Sequence, residues 1–133
     1  MARAYEQITM QIRAQAFFKL LNESDAGTHV AAYPIDLQLT SANEAVLVSL
    51  RNGRLTAVTE AAESAPIGYW KLELQGDRDV FDAIFDGAWT LGEAMYRGRL
   101  FAPEEKAKHN LVSALGQTIR LLQKEHRRAL LPD

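Results

Sequence analysis

The side chains that could carry chemistry are scattered along the chain, and their spacing limits what they can do. His29, His109 and His126 stand far apart and match no metal-ligand pattern such as two histidines at i, i+4 with a third ligand downstream; surface or capping roles are expected of them. Asp77, Asp79, Asp82 and Asp86 crowd one short segment. That segment has no ligands at alternating loop positions and no closing glutamate, so helix capping and a wet helix face account for the four better than a cation site does. Glu60 and Glu63 would act as paired carboxylates only if the fold carried both to a substrate. The chain lacks a G-x-S-x-G elbow, a phosphate-binding glycine loop and a dinucleotide fingerprint, and Gly92 and Gly98 read as brackets around a short helix. With no cysteine there is no thiolate nucleophile, thiolate metal site or disulfide, which suits a reducing compartment and points to the cytoplasm. A non-enzyme without cofactor or metal is expected.

Charge narrows the partners. A formal charge of −2 gives no overall attraction for nucleic acid, so none is expected as a partner. The basic run from Lys124 to Arg128 could touch phosphate or an anionic lipid head group, but at a helix end such charges more often serve the helix dipole. Membrane contact is expected to be transient at most. Residues 1–22 are interrupted by Arg3, Glu6, Gln11, Arg13 and Lys19 and do not read as a signal peptide, so the mature protein is expected to be the whole chain.

The elements that must position these groups follow from periodicity. A chain of 133 residues is the size of one domain around one core, and nothing in it reads as a linker or repeat. Residues 4–22 read as a helix with two apolar stripes, Ile8, Ile12, Ala16 and Leu20 on one side and Met10, Ala14, Phe17 and Leu21 on the other. From Pro34 the period becomes two, with Ile35, Leu37 and Leu39 alternating against Asp36, Gln38 and Thr40. Asn52-Gly53, between Ala45–Arg51 and Arg54–Thr59, predicts a two-residue type I′ hairpin. Its register would pair Leu50 with Leu55, Val48 with Ala57 and Val46 with Thr59, and would set Arg51 against Arg54, a clash that solvent or an anion could relieve.

A fourth strand is predicted at Tyr69–Gln75 with Trp70, Leu72 and Leu74 inward, followed by a helix capped by Asp77 or Asp79 and ended by Gly87. A second short helix should run from Thr90 to Gly98, then a short strand at Arg99–Ala102. Pro103, Glu104 and Glu105 suit the first turn of a long final helix striped by Leu111, Leu115, Thr118, Ile119 and Leu122.

That order of elements, together with FDAIFDGAWTLGEAMYRGRL at residues 81–100, resembles the sterol carrier protein two family. The residues that carry the likeness are Phe81, Ile84, Gly87, Ala94, Gly98, Arg99 and Leu100. The chain departs from the family after Leu100, where Phe101-Ala102-Pro103 breaks straight into a helix instead of a glycine-containing turn and a further short helix. The resemblance implies an α+β fold with a five-stranded, mainly antiparallel sheet covered on one face by helices. It also implies an apolar cavity between sheet and helices that accepts a sterol, fatty acid or fatty acyl thioester, and it brings no catalytic residue.

Side-chain direction places such a ligand between the inward sheet residues, among them Val48, Trp70 and Leu72, and the helix residues Phe81, Phe85, Leu91, Met95, Leu111, Leu115 and Ile119. Met95 and Trp89 are expected at the mouth. The alternative is an interaction module of the same fold with a filled core, working as a homodimer or accessory subunit through Met10, Ala14, Phe17 and Leu21 with Leu47 and Val58 of the hairpin.

Overall fold

The computed structural model describes residues 9–60, 70–103 and 108–130. Ile8, Glu63, Tyr69, Glu104 and Glu105 lie outside them, as does the side chain of Trp70.

Helix α1 spans Met10–Phe18. Two oxygen acceptors hold its first turn: Thr9 Oγ1 accepts from the Ile12 N–H at 3.2 Å, and the Glu44 carboxylate from the Met10 N–H at 2.7 Å. The expected helix to residue 22 tightens after Phe18 into a 3₁₀ turn, Lys19–Glu23, and a second 3₁₀ helix follows at Ala26–Val30. The two apolar stripes are covered unequally. Met10, Ala14, Phe17 and Leu21, expected to be open to a partner in the interaction-module reading, are 0–3% exposed inside the domain itself, whereas Ile12 is 58% exposed.

The sheet contains β1 (Ile35–Thr40), β2 (Ala45–Arg51), β3 (Arg54–Glu60), β4 (Trp70–Gly76) and β5 (Leu100–Phe101), in the order β3-β2-β1-β4-β5. The β1–β4 pair is parallel and the other pairs are antiparallel. Alternation along the strands puts Ile35, Leu37, Leu39, Val46, Val48, Leu50, Leu72 and Leu74 on one buried face, and the helices pack there.

At the hairpin, Asn52 and Gly53 both have positive φ, 57° and 74°, as a type I′ turn requires. Beyond the turn the expected register is wrong by one residue. Leu50 pairs with Leu55, but Ser49 then pairs with Ala57 and Val48 with Val58, with the register shift falling between Ser49 and Leu50. The reason lies in the spacing of β3's large apolar residues. Leu55 and Val58 are three apart, so strict alternation would turn one of them to solvent; the bulge takes up Thr56 and buries both. Val58, expected on the outer side of the hairpin, is therefore core, and Ala57 is exposed. Arg51 does face Arg54, and the relief comes from inside the protein: Arg51 Nη2 lies 3.0 Å from the carboxylate of buried Asp36 on β1.

Two further contacts fix the hairpin against the first segment. Gly53 meets Gly27 backbone to backbone, so closely that a Cβ on Gly27 would lie 1.9 Å from the Gly53 carbonyl oxygen. Asn22 reads both backbone groups of Leu55 on the outer edge of β3, donating to its oxygen at 3.1 Å and accepting from its N–H at 2.9 Å. An edge strand with those groups occupied is a poorer template for another chain.

Helix α2 spans Arg78–Phe85, α3 Leu91–Tyr96 and α4 His109–Leu130. Asp77 takes the N-cap position of α2 without a side-chain cap bond. The clustered aspartates are ion-paired instead of merely wet: exposed Asp77 and Asp79 lie 4.0 and 3.9 Å from Arg99, and the other two have closer partners. Asp82 lies 3.0 Å from Arg78 and 3.3 Å from Arg13, Asp86 also pairs with Arg13, and Arg78 reaches Glu44 at 2.7 Å. Glu44 thus joins the start of α1 to α2. Burial opposes the charge on Arg78, but hydrogen bonds and ion pairs to Asp82 and Glu44 outweigh it and hold the guanidinium above its ordinary range. Its contribution to stability is lost only as pH rises through that range, so it is fully present near neutrality.

Candidate functional site

A concavity with an apolar floor lies between α3, β5 and the first half of α4. Thr90 starts α3, its hydroxyl accepting from the Glu93 N–H at 3.0 Å, and Gly98, at φ 70°, ends it. The chain can then turn back to lay β5 against the end of β4, where Gly76 pairs with Leu100 and Gln75 with Phe101. Gly76 permits that approach, since a Cβ there would come within 3.0 Å of Arg99 and Leu100. Opposite stands α4.

The result is a groove of about 800 Å³. Its floor is Leu91, Leu100, Ala102 and Val112, all buried, with half-buried Met95 beside them. Gly92 and Gly116 widen it: a Cβ on Gly92 would meet nothing within 4 Å, and one on Gly116 would only touch Leu91 at 3.8 Å. Gly92, expected to bracket α3, is inside that helix and faces the groove. The rim carries two aromatic rings standing out of the surface, Tyr96 at 92% and Phe101 at 61% exposure, and a polar row on α4 formed by His109, Ser113, Gln117 and Arg120.

Of the residues nominated from sequence, Leu91 and Met95 line this groove. Val48, Leu72, Phe81, Phe85, Leu111, Leu115 and Ile119 are 0–3% exposed in the core between sheet and helices, behind it. Leu111, Leu115 and Ile119 share α4 with the groove residues but point from its other side. Trp89 sits in the turn between α2 and α3, half-buried, with Arg97 and Arg99 stacked over its ring at 5.4 and 5.6 Å. Its carbonyl accepts from the amide of buried Gln123 on α4 at 2.7 Å. Leu100, Ala102, Val112 and Gly116 belong to the groove and were not nominated. The signal available for Val112 and Gly116 was a second stripe on α4, 109, 112, 113, 116, 117 and 120, which keeps helical spacing beside the core stripe.

A smaller apolar groove of about 550 Å³ lies between α1 and α2, with Ile12, Ala16, Phe17 and Phe85 in its walls and Arg13 and Arg78 at its edge. Among the described residues no group of three His, Asp or Glu side chains could hold a metal ion, and no helix is long and apolar enough to cross a membrane.

No protein-family model matches the chain, and no curated protein does. Solved structures do match. A conserved hypothetical protein of Thermus thermophilus, for which a sterol carrier protein identity is suggested, aligns at TM-score 0.61 and 18% identity over 89% of both chains. A crystal structure of sterol carrier protein 2 aligns at TM-score 0.61 and 17% identity, covering 84% of this chain and 93% of that one. A ubiquinone synthesis protein described as UbiJ-SCP2 aligns at TM-score 0.52 and 12% identity, over 92% and 97%. Each match spans more than four fifths of both chains, and together they show that this chain has the sterol carrier protein 2 fold.

Proposed function

We propose that the protein binds an apolar ligand of the sterol, fatty acid or fatty acyl thioester class, and that the ligand lies in the groove between α3, β5 and α4. The observation that carries this reading is the groove itself: about 800 Å³ with an apolar floor, against about 550 Å³ for the groove between α1 and α2. Small-molecule sites commonly enclose about 300–1,000 Å³ and pair an apolar lining with a few polar groups. The driving force would be removal of apolar surface from water, about 25 cal/mol per Å², reduced by the cost of ordering ligand and side chains. Leu91 and Met95 would touch the ligand; Phe81, Phe85, Leu111, Leu115, Ile119, Leu72 and Val48 would form the wall that keeps the floor in place. The sterol carrier protein 2 fold of the solved neighbours agrees with carriage of a lipid.

No reaction is assigned to the groove. Ser113 and His109 are one helical turn apart on its wall but share no hydrogen bond, so the two do not form a nucleophile–base pair.

The test is titration of a fluorescent fatty acid and a fluorescent sterol into the protein and into Met95→Trp. Saturable binding by the parent, weakened about tenfold or more by the indole in the groove while melting temperature changes by only a few degrees, is expected. No saturable binding of either probe would sink the reading.

A further inference from the structure

The groove does not end at its polar row. Thr90, Gln117 and Arg120 also border a second concavity of about 500 Å³, walled by the far side of α4, by His29 of the second 3₁₀ helix and by Gly87 in the turn after α2. Three cations project toward it from α4, Arg120, Lys124 and Arg127. They stand at i, i+4 and i+7, one helical face spanning roughly 10 Å along the axis. None of the three forms an ion pair or side-chain hydrogen bond among the described residues, although Arg128 beside them is paired with Glu125 at 3.3 Å. The concavity's carboxylate, Glu93, has its own partner in Arg97 at 3.7 Å.

The helix dipole does not explain this arrangement. Its effect fades beyond the last turn, and Arg120 and Lys124 lie ten and six residues before the end of α4 at Leu130. Three cations without an ion pair among the described residues border one concave surface, in a chain of net charge −2, although Lys124 also borders a neighbouring concavity with Glu23, Asp25 and Glu125; charges of one sign gathered in a concavity focus a local positive potential.

We infer that this basic concavity is the head-group subsite of the apolar groove, and that the ligand is an amphiphile whose hydrocarbon part occupies the groove and whose phosphorylated head lies against Arg120, Lys124 and Arg127. Arg120, bordering both spaces, reads the junction between chain and head. The inference rests on the proposed binding in the groove and adds the chemical class of the head. Guanidinium and ammonium donors to phosphate oxygens form charge-assisted bonds, stronger than those to a neutral hydroxyl.

The test uses a chain-matched pair, pyrenedodecanol and its phosphate monoester, titrated at low salt into the parent protein and into the double variant Lys124→Gln, Arg127→Gln, which leaves every residue of the apolar groove in place. The ester is expected to bind about tenfold or more tightly than the alcohol, with an advantage that shrinks as salt is added. The variant, altered only at exposed positions outside the apolar groove, should lose most of the ester's advantage and should keep the parent's affinity for the alcohol. Equal binding of ester and alcohol by the parent overturns the head-group subsite and leaves the groove reading standing. Failure of both probes to bind overturns the groove reading and the subsite with it. Competition by glycerol phosphate, which has no chain, separates a free phosphate site from an amphiphile site: displacement of the ester at equal concentration overturns the amphiphile assignment.

Discussion

Two faces of one helix show how differently this chain treats its apolar residues. Leu111, Leu115, Ile119 and Leu122 of α4 are 0–3% exposed and close against the sheet side of the molecule. One residue further round, Val112 and Gly116 look onto open space with Met95 and Gly92 across from them. The first face is filled by branched side chains at helical spacing; the second is kept open by glycine, which has nothing to fill it with. Packing density rewards the first arrangement, since every void forfeits dispersion contacts. An unfilled groove held by the same rigid helix is therefore a feature that packing alone would not produce.

The contrast can be broken or sharpened by substitution. The largest effect should come from the filled side. Phe81→Ala removes a ring that is 2% exposed and leaves a hole the sheet cannot close, so denaturant unfolding should show a loss of about 3–5 kcal/mol. A loss under about 1 kcal/mol would mean that the region behind α2 is as loosely packed as the groove.

Next, Gly27→Ala drives a methyl into the Gly53 carbonyl and should cost roughly 3 kcal/mol by forcing the hairpin away from the first segment. Thermal melts would register it, and an unchanged melting temperature would show that the two backbones do not meet. Smaller again is Asn22→Ala, which frees both backbone groups of Leu55 at the sheet edge. About 1–2 kcal/mol should be lost, with association at high concentration detectable by light scattering.

On the open side the sign reverses. Gly116→Ala adds a methyl in ordinary contact with Leu91 and removes the conformational freedom of an interior helical glycine, so stability should rise by about 1 kcal/mol. A loss of stability there would mean that the groove is already full.

Much of the architecture was legible in the residues. Asn52-Gly53 specified its hairpin turn because few dipeptides tolerate positive φ at both centres. Thr90 and Gly98 marked the ends of α3, and the i+3/i+4 stripe of α4 marked its core face, because capping and amphipathicity are local properties. Alternation along β1, β2 and β4 named the buried side of the sheet.

What sequence periodicity left open is what depends on neighbours distant in the chain. Two stripes on α1 were equally apolar, and only the approach of the sheet and α2 decided that Met10, Ala14, Phe17 and Leu21 would be covered and Ile12 left out. The bulge at Thr56 follows from the competition between strict alternation and the burial of Val58, which no single strand can settle without its partner. The Gly27–Gly53 contact joins backbones that are far apart in sequence. The groove depends on such a meeting too, because a glycine opens space only where another surface stands opposite it. Local chemistry fixed the elements of this protein, and their packing chose which apolar faces closed and which remained available to bind.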